Sequence, residues 1–468
     1  MAKKKAHEKE VDISMLNKEQ KKTFDKLVGF VKDKKDKQSM LLVEGYAGTG
    51  KTFLITKFVE YFAKNIANGV FTSGVAMTAP TNKAVKVLKR MSDFPPYMAE
   101  FVTVHKLLGL KEVIDDDGNQ LFQQDMLNRP MIQTLNVVIV DEVSMLSDKL
   151  FHDLLEHVSK TKIIFMGDGC QIPPVNEKDS IPLLEDKRGK YHIQHNKLNK
   201  IMRQKDGNPI IETSMLIRKD LDDVMPLTER TDKTGKVGGV DYCDGISKPE
   251  FLKLLKKYFN TKKFDKDPDY CKVIGWRNVV VNRVNDMIRG ILYNNPDQIV
   301  VGEKLIADRP IKYDGEILFQ TSDEFTVVKV KKGGGAHDGI PVKFFDTVVS
   351  YYSIDMSCDM EYRILILDEI SKKAYDAFLD RKKRVALSRQ RGSFEQKKAW
   401  REYYREKERY AEVKYNYCIT AHKSQGSTYE NVIILESDID NNPNIEERNR
   451  IKYTALTRAS DKAYILTS

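Results

Sequence analysis

The sequence predicts an α/β fold built on doubly wound parallel sheets, and three observations carry that expectation. Short apolar runs recur along the chain. Each is followed by polar or glycine-rich residues and then a helix-compatible pattern. One such junction has the spacing of a phosphate-binding loop. Runs apolar on both faces suit parallel strands covered on both sides, and their alternation with helices points to the doubly wound class.

Taken in order, Leu41-Leu42-Val43-Glu44 is the first expected strand. The region 74–79, then Val137-Val138-Ile139-Val140 and Ile163-Ile164-Phe165-Met166, continue the series. The pattern resumes in Val273-Ile274-Gly275-Trp276, Val432-Ile433-Ile434-Leu435 and Ala463-Tyr464-Ile465-Leu466, strands of a second such domain. Between them the texture changes. Phe325 to Val330 and Phe344 to Tyr352 are β-like, and Lys332-Gly333-Gly334-Gly335 reads as the turn between them. Arg381 to Tyr410 is strongly charged and helix-compatible. The expected organisation is a first domain over 1–195, a second over 196–295 and 411–468, and an insertion over 296–410.

A length of 468 residues suits two to four domains. Hydrophobic residues make up 41% and charged residues 31%, and no apolar run is long enough to span a bilayer. The basic start, Met1 to Lys5, has no apolar stretch behind it, so a secretory leader is not expected. The net charge of +10 suits a polyanionic partner, although many basic proteins bind none. Cys170, Cys243, Cys271, Cys358 and Cys418 are scattered without a CxxC pair. That argues against a disulfide framework or a structural zinc and fits a reducing cytoplasm.

The phosphate-binding junction is Gly45-Tyr46-Ala47-Gly48-Thr49-Gly50-Lys51-Thr52, which fits GxxxxGK[ST] between a strand and a helix. Gly45, Ala47, Gly48, Thr49 and Gly50 would wrap backbone amides around phosphates. Lys51 would neutralise the β- and γ-phosphates of ATP, and Thr52 would hold Mg²⁺. Asp141 and Glu142, at the end of the strand 137–140, supply the acidic pair such a loop needs. Asp141 would anchor Mg²⁺, and Glu142 would polarise the attacking water. These motifs imply nucleoside triphosphate hydrolysis without saying what the energy drives.

Further motifs, in order along nearly the whole chain, resemble the superfamily 1 helicases, in particular the RecD/Dda branch of superfamily 1B with its phage-encoded members. Leu16-Asn17-Lys18-Glu19-Gln20 resembles the Q motif, with Asn17 where the family usually has Thr; Gln20 would read the adenine. Thr78-Ala79-Pro80-Thr81-Asn82-Lys83-Ala84 resembles motif Ia and Thr103-Val104-His105 motif Ib. Pro80, Thr81, Asn82, Lys83 and His105 would then contact a DNA strand. Gly167 to Val175 resembles motif III, with Gln171 as phosphate sensor. Leu198 to Gln204 resembles motif IV and Tyr453 to Ala459 motif VI; Arg203 and Arg458 would reach the ATP from the second domain. Thr420 to Thr428 resembles motif V, with His422, Lys423 and Ser424 on DNA and Gly426 close to the nucleotide. Asn278, in a stretch resembling motif IVa, completes the expected DNA contacts.

The resemblance implies two RecA-like P-loop domains carrying two insertions. One is a β-hairpin pin (1B, about 106–127), with Asp-Gly as its turn signal and Phe122 at the strand-splitting place. The other is an SH3-type β-barrel plus a charged extension (2B) that clamps the pin; Trp400 to Tyr404 and the run Arg381 to Arg384 are candidates there for DNA contact. The implied activity is ATP-dependent 5′-to-3′ travel on single-stranded DNA with unwinding at a DNA fork. A role in phage DNA replication or recombination would place the chain in the host cytoplasm as a monomer, beside a single-stranded-DNA-binding protein or other replication proteins. The rivals are a translocase or protein–DNA remodeller that does not unwind, a nucleotide-dependent loader or switch, and an RNA-directed motor.

Overall fold

The computed structural model describes residues 11–466 other than 34–38, 67–73, 93–94, 116, 118–119, 125–128, 159, 203–207, 225–226, 228–239, 244–247, 295–297, 314–315, 354–355 and 357. Strands are numbered in chain order. The first sheet contains β1 (Met40–Gly45), β2 (Val75–Ala79), β3 (Glu100–Thr103), β6 (Val137–Val140), β7 (Lys162–Gly167) and β8 (Ile193–Leu198), in the order β3-β2-β6-β7-β1-β8. Every pairing is parallel. The four residues of β6 are all buried, as a strand with both faces covered requires. One apolar cluster packs the helices Lys18–Lys32, Lys51–Asn65 and Asn82–Ser92 on one side of this sheet. A second cluster packs helix Asp148–His157 on the other.

Between β3 and β6 the chain makes an antiparallel hairpin of β4 (Leu110–Ile114) and β5 (Gln120–Gln124), with Glu112 opposite Phe122. A second parallel sheet contains β9 (Val240–Cys243), β10 (Cys271–Gly275), β18 (Cys418–Thr420), β19 (Tyr429–Leu435) and β20 (Ala459–Leu466), in the order β18-β10-β19-β20-β9. The buried amide of Asn285, on helix Asn278–Tyr293, staples that helix to β18. It accepts from the backbone N–H groups of Tyr417 and Cys418 and donates to Cys418 O.

The chain between helix Asn278–Tyr293 and β18 builds β11 (Lys304–Ala307), β12 (Ile311–Tyr313), β13 (Glu316–Phe319), β14 (Glu324–His337), β15 (Ile340–Ser353), β16 (Cys358–Leu367) and β17 (Val413–Tyr415). Five of them form an antiparallel sheet in the order β16-β15-β14-β11-β17, while β12 and β13 pair separately. Helices Glu369–Leu387 and Phe394–Lys407 stand beside it, packed through Ala386, Trp400 and Tyr404.

Three expectations are corrected. Lys332 to Gly335 is not a turn but the interior of β14; the reversal lies at Asp338-Gly339, both at positive φ, with His337 opposite Ile340. A two-residue loop of that kind is a tight hairpin turn. The glycines serve a packing purpose: a Cβ on Gly333 would lie 2.4 Å from the ring of Phe344. The expected edge at 195/196 falls inside β8, which pairs with β1 through Leu198. The edge at 410/411 falls before β17, which pairs with β11 in the antiparallel sheet.

Candidate nucleotide site and nucleic-acid interface

β1 delivers the chain into the loop 46–50, and helix Lys51–Asn65 leaves it. Gly48 and Gly50 sit at φ +81° and +75°, a region open to glycine without a Cβ penalty. A Cβ on Gly50 would also lie 2.7 Å from Gln20 Nε2. Gln20 is buried beneath the loop. Its Nε2 donates to Thr49 O at 3.0 Å, and its Oε1 accepts from Asn17 N–H at 3.0 Å. Asn17 caps the helix reciprocally through its own side chain. The departure from Thr is therefore locally harmless, because Asn is as good a cap.

Lys51 turns back on the loop, donating to Gly45 O at 2.6 Å and Tyr46 O at 3.1 Å. Burial lowers its pKa, against the pull of Asp168, Asp141 and Glu142. Thr52 is half-buried in the first turn of the helix. Asp141 follows β6, and its N–H donates to Thr78 O at 2.8 Å. Glu142 takes φ +50°, and its N–H donates to Asp141 Oδ1 at 2.8 Å. Burial, then the neighbouring Glu142, push the Asp141 carboxyl up to about 7, against that N–H and Lys51.

The structure adds a cluster that the sequence reading missed. Asp168, fully buried after β7, accepts from Ala47 N–H at 3.1 Å, from Tyr453 OH and from the Arg218 guanidinium. Burial raises its pKa, but Arg218, Lys51 and the hydrogen bonds outweigh it and hold the carboxyl below the usual range. The guanidinium of Arg218 lies 4.0 Å from the centre of the Tyr46 ring and donates to Tyr453 OH at 3.1 Å. Asp168 and Tyr453 lie in the stretches resembling motifs III and VI, whose expected roles fall on Gln171 and Arg458 instead. Arg218, on helix Pro209–Lys219, belongs to no motif that would have flagged it.

The loop after β7 is gripped by helix Ile445–Leu456 of the second sheet. Arg450 donates to Gly169 O at 2.6 Å and Gln171 O at 3.2 Å and pairs with Asp179 at 2.8 Å. Thr454 Oγ1 accepts from Ile172 N–H, and Gln425 Nε2 donates to Ile172 O. Gln171 is buried, and its Oε1 has no hydrogen-bond partner among the described residues. Arg458 is also buried. It donates to Thr454 O and Ser427 O, both on its own side of the molecule, rather than to the phosphate loop. Arg203 lies outside the described residues. Gly426, at φ +74°, meets helix Asn82–Ser92: a Cβ there would lie 3.2 Å from Ala84 Cβ.

Of the residues expected on DNA, Pro80, Thr81 and Asn82 are half-buried at the end of β2, and Asn278 is exposed at the start of its helix. Lys83 Nζ pairs with Glu324 at 2.8 Å and donates to Tyr429 OH at 3.3 Å. Lys423 pairs with Asp308 at 2.6 Å. His422 is half-buried, and burial lowers its pKa. Ser424 is buried, its hydroxyl spent on Ala421 O. The His105 ring packs against Phe122 at a tilt of 46°, ring centres 4.5 Å apart, while Phe122 stays 44% exposed. At the other end of the hairpin, Asp117 pairs with Arg391 of the helical extension at 3.0 Å. Trp400 and Tyr404 are buried between the two helices and so are not free to meet DNA.

Fold and site together define the class: an ATPase motor whose phosphate loop is shared between two parallel-sheet bodies. Comparison with known proteins sharpens this. Residues 15–241 match the AAA domain family model, and residues 415–466 match the UvrD-like helicase C-terminal domain. The chain is 25% identical over 454 residues to the ATP-dependent DNA helicase dda of Enterobacteria phage T4, covering 94% of this chain and 96% of that one. It is 25% identical over 511 residues to the uncharacterized protein R530 of Acanthamoeba polyphaga mimivirus, covering 96% and 99%. A solved structure of Pif1 helicases at forked double-stranded DNA shares the fold, with a TM-score of 0.50 at 14% identity over 97% of this chain and 94% of that one. These likenesses support an ATP-hydrolysing DNA helicase of the RecD/Dda/Pif1-like kind in superfamily 1B.

Proposed function

We propose that this helicase travels 5′-to-3′ on single-stranded DNA and separates duplex at a fork, in viral DNA replication or recombination. The observation that carries the motor reading is the reach of helix Ile445–Leu456 onto the first body. Through Tyr453 and Arg450 it touches both the phosphate loop and the loop after β7. A site shared in this way changes when the two bodies move, so hydrolysis and domain motion are tied. The direction rests on the family resemblance, and the viral setting on the two viral relatives.

The residues present fit Mg²⁺. The Asp141 carboxyl is pushed up by its burial and then by the neighbouring Glu142, an environment that a divalent cation relieves. Thr52 and Asp141 would hold it, and the ion would neutralise charge on the phosphate oxygens. Lys51 would exchange its two loop carbonyls for phosphate oxygens. Glu142 would orient water. Arg218 already lies against the loop; Arg458 would have to leave Ser427 to take part. Pro80, Thr81, Asn82, Asn278 and His422 would line the DNA path, joined by Lys83 and Lys423 once phosphates displace their carboxylate partners. Phe122, propped by His105, would split the fork.

The test is unwinding of two partial duplexes, one with a 5′ tail and one with a 3′ tail, with Lys51→Ala as control. Opening of the 5′-tailed duplex alone, lost in Lys51→Ala, is expected. Phe122→Ala should slow opening about tenfold while single-strand-stimulated hydrolysis persists, since a stacked base is worth about 1–3 kcal/mol. Hydrolysis with neither duplex opened would leave a translocase or remodeller instead.

A further inference from the structure

The charge of this chain is concentrated in one place. Residues 381–401 hold nine Lys and Arg and a single acid, Glu395, in a chain whose whole net charge is only +10. This stretch ends helix Glu369–Leu387 and begins helix Phe394–Lys407. The two helices bury their inward stripes, Tyr375, Phe378 and Ala386 on one and Trp400 and Tyr404 on the other. The basic residues are left outside: Arg381, Lys383, Arg384, Lys397, Lys398 and Arg401 are all exposed. Among the described residues none of these six is in an ion pair, whereas Lys382 pairs with Asp338 and Arg391 with Asp117. So many unneutralised like charges repel one another, which is unfavourable unless a polyanion meets them.

The Arg391–Asp117 contact fixes where this ridge lies. Asp117 lies at the turn end of the hairpin that carries Phe122. The ridge therefore stands beside the same hairpin as the ring assigned to the fork. Single-strand platforms interleave cations with aromatic rings on which bases stack. Here Phe394 is the one large exposed ring, with Trp400 and Tyr404 turned inward. Cations without a run of stacking rings suit a phosphate backbone whose bases are paired.

We propose that the tip of this helical extension is a binding site for the phosphate backbone of duplex DNA ahead of the fork. The proposal rests on the unwinding role above. It assigns the ridge a task separate from the motor: holding the duplex in line with the hairpin.

The test uses the full chain and the variant Lys383→Ala/Arg384→Ala/Lys397→Ala/Lys398→Ala, whose substitutions are all on exposed helix surface. Binding of a blunt duplex and of a single strand would be measured over a salt series, together with single-strand-stimulated ATP hydrolysis. Each phosphate contact removed lowers the salt slope of duplex binding by about 0.9, so a loss of about three to four is expected, with duplex affinity down about tenfold or more. Hydrolysis and single-strand affinity should hold. Unchanged duplex binding and slope would sink the proposal, leaving a solvated surface. Equal loss of single-strand and duplex binding would also overturn it, moving the ridge onto the unpaired strand. Failure of the unwinding role itself has a different signature: the wild-type chain would open neither tailed duplex, whatever its affinity for the blunt one.

Discussion

Arg218 carries the strongest residue-level prediction. It pairs with fully buried Asp168, donates to Tyr453 and covers the ring of Tyr46, so one side chain joins the second half of the chain to the phosphate loop. Arg218→Ala leaves a buried carboxylate short of its cation, a change that typically costs about 3–5 kcal/mol. A lower thermal midpoint and a matching loss of ATP hydrolysis are expected. Arg218→Lys should not restore either, because a lysine cannot stack flat on Tyr46 while bonding both Asp168 and Tyr453. Full activity in the Lys variant would reduce the role to simple charge. Sequence reasoning had no route to this residue. The P-loop and the acidic pair are local patterns set by strand, turn and helix, whereas Arg218 matters only because helix Pro209–Lys219 is folded back onto Asp168.

Among the elements, the hairpin of β14 and β15 shows how a local signal misleads. A glycine run usually marks a turn, yet Gly333 sits mid-strand because the ring of Phe344 lies across it. Gly333→Ala should therefore destabilise by about 1–3 kcal/mol through overpacking, read as a shift in the urea midpoint. Gly335→Ala, whose Cβ would meet Phe344 at an ordinary 3.9 Å, should cost less. The Asp338-Gly339 pair carries the same signal as Asp117-Gly118 and would have placed the turn there. Cross-strand packing between partners eleven residues apart, by contrast, leaves no trace in the local pattern.

At the scale of the whole molecule, two of the contacts that couple the bodies lend themselves to separate tests. Arg450 ties helix Ile445–Leu456 to the loop after β7. In Arg450→Ala the influence of a nonhydrolysable ATP analogue on single-strand affinity should shrink toward none, from a coupling that is commonly about 5–150-fold. Retention of full coupling would assign the linkage to other contacts. Lys83 and Lys86 of helix Asn82–Ser92 clasp Glu324 and Asp323 at the start of the antiparallel sheet. Burial alone would raise the Glu324 carboxyl, but Lys83 and Lys272 hold it down at about 2 against an ordinary 4.5. A depressed carboxyl contributes stability that is complete above 4.5 and is lost as pH falls toward 2. Wild-type and Glu324→Gln should therefore differ in unfolding free energy at neutral pH and converge as the pH drops through that window. A constant difference would mean that the clasp does not titrate.

The sequence by itself determined the α/β class, strands β1, β2, β6 and β7 of the first parallel sheet and β10, β19 and β20 of the second, the P-loop and its acidic pair, and the order of the motifs, while β3, β8, β9 and β18 went unread. Those features are written in periodicity and in short spacings, which act over one or two elements. Only the tertiary structure decided which groups occupy each other. Lys51 is bonded to its own loop, Lys83 and Lys423 are held by carboxylates from the antiparallel sheet, Arg458 is turned toward Ser427, and Arg218 fills the place beside Asp168. The physical reason is that charge pairing in a folded chain depends on which segments are brought within a few ångströms. Residues such as 168 and 218, fifty positions apart, meet only when two sheets and their helices have packed.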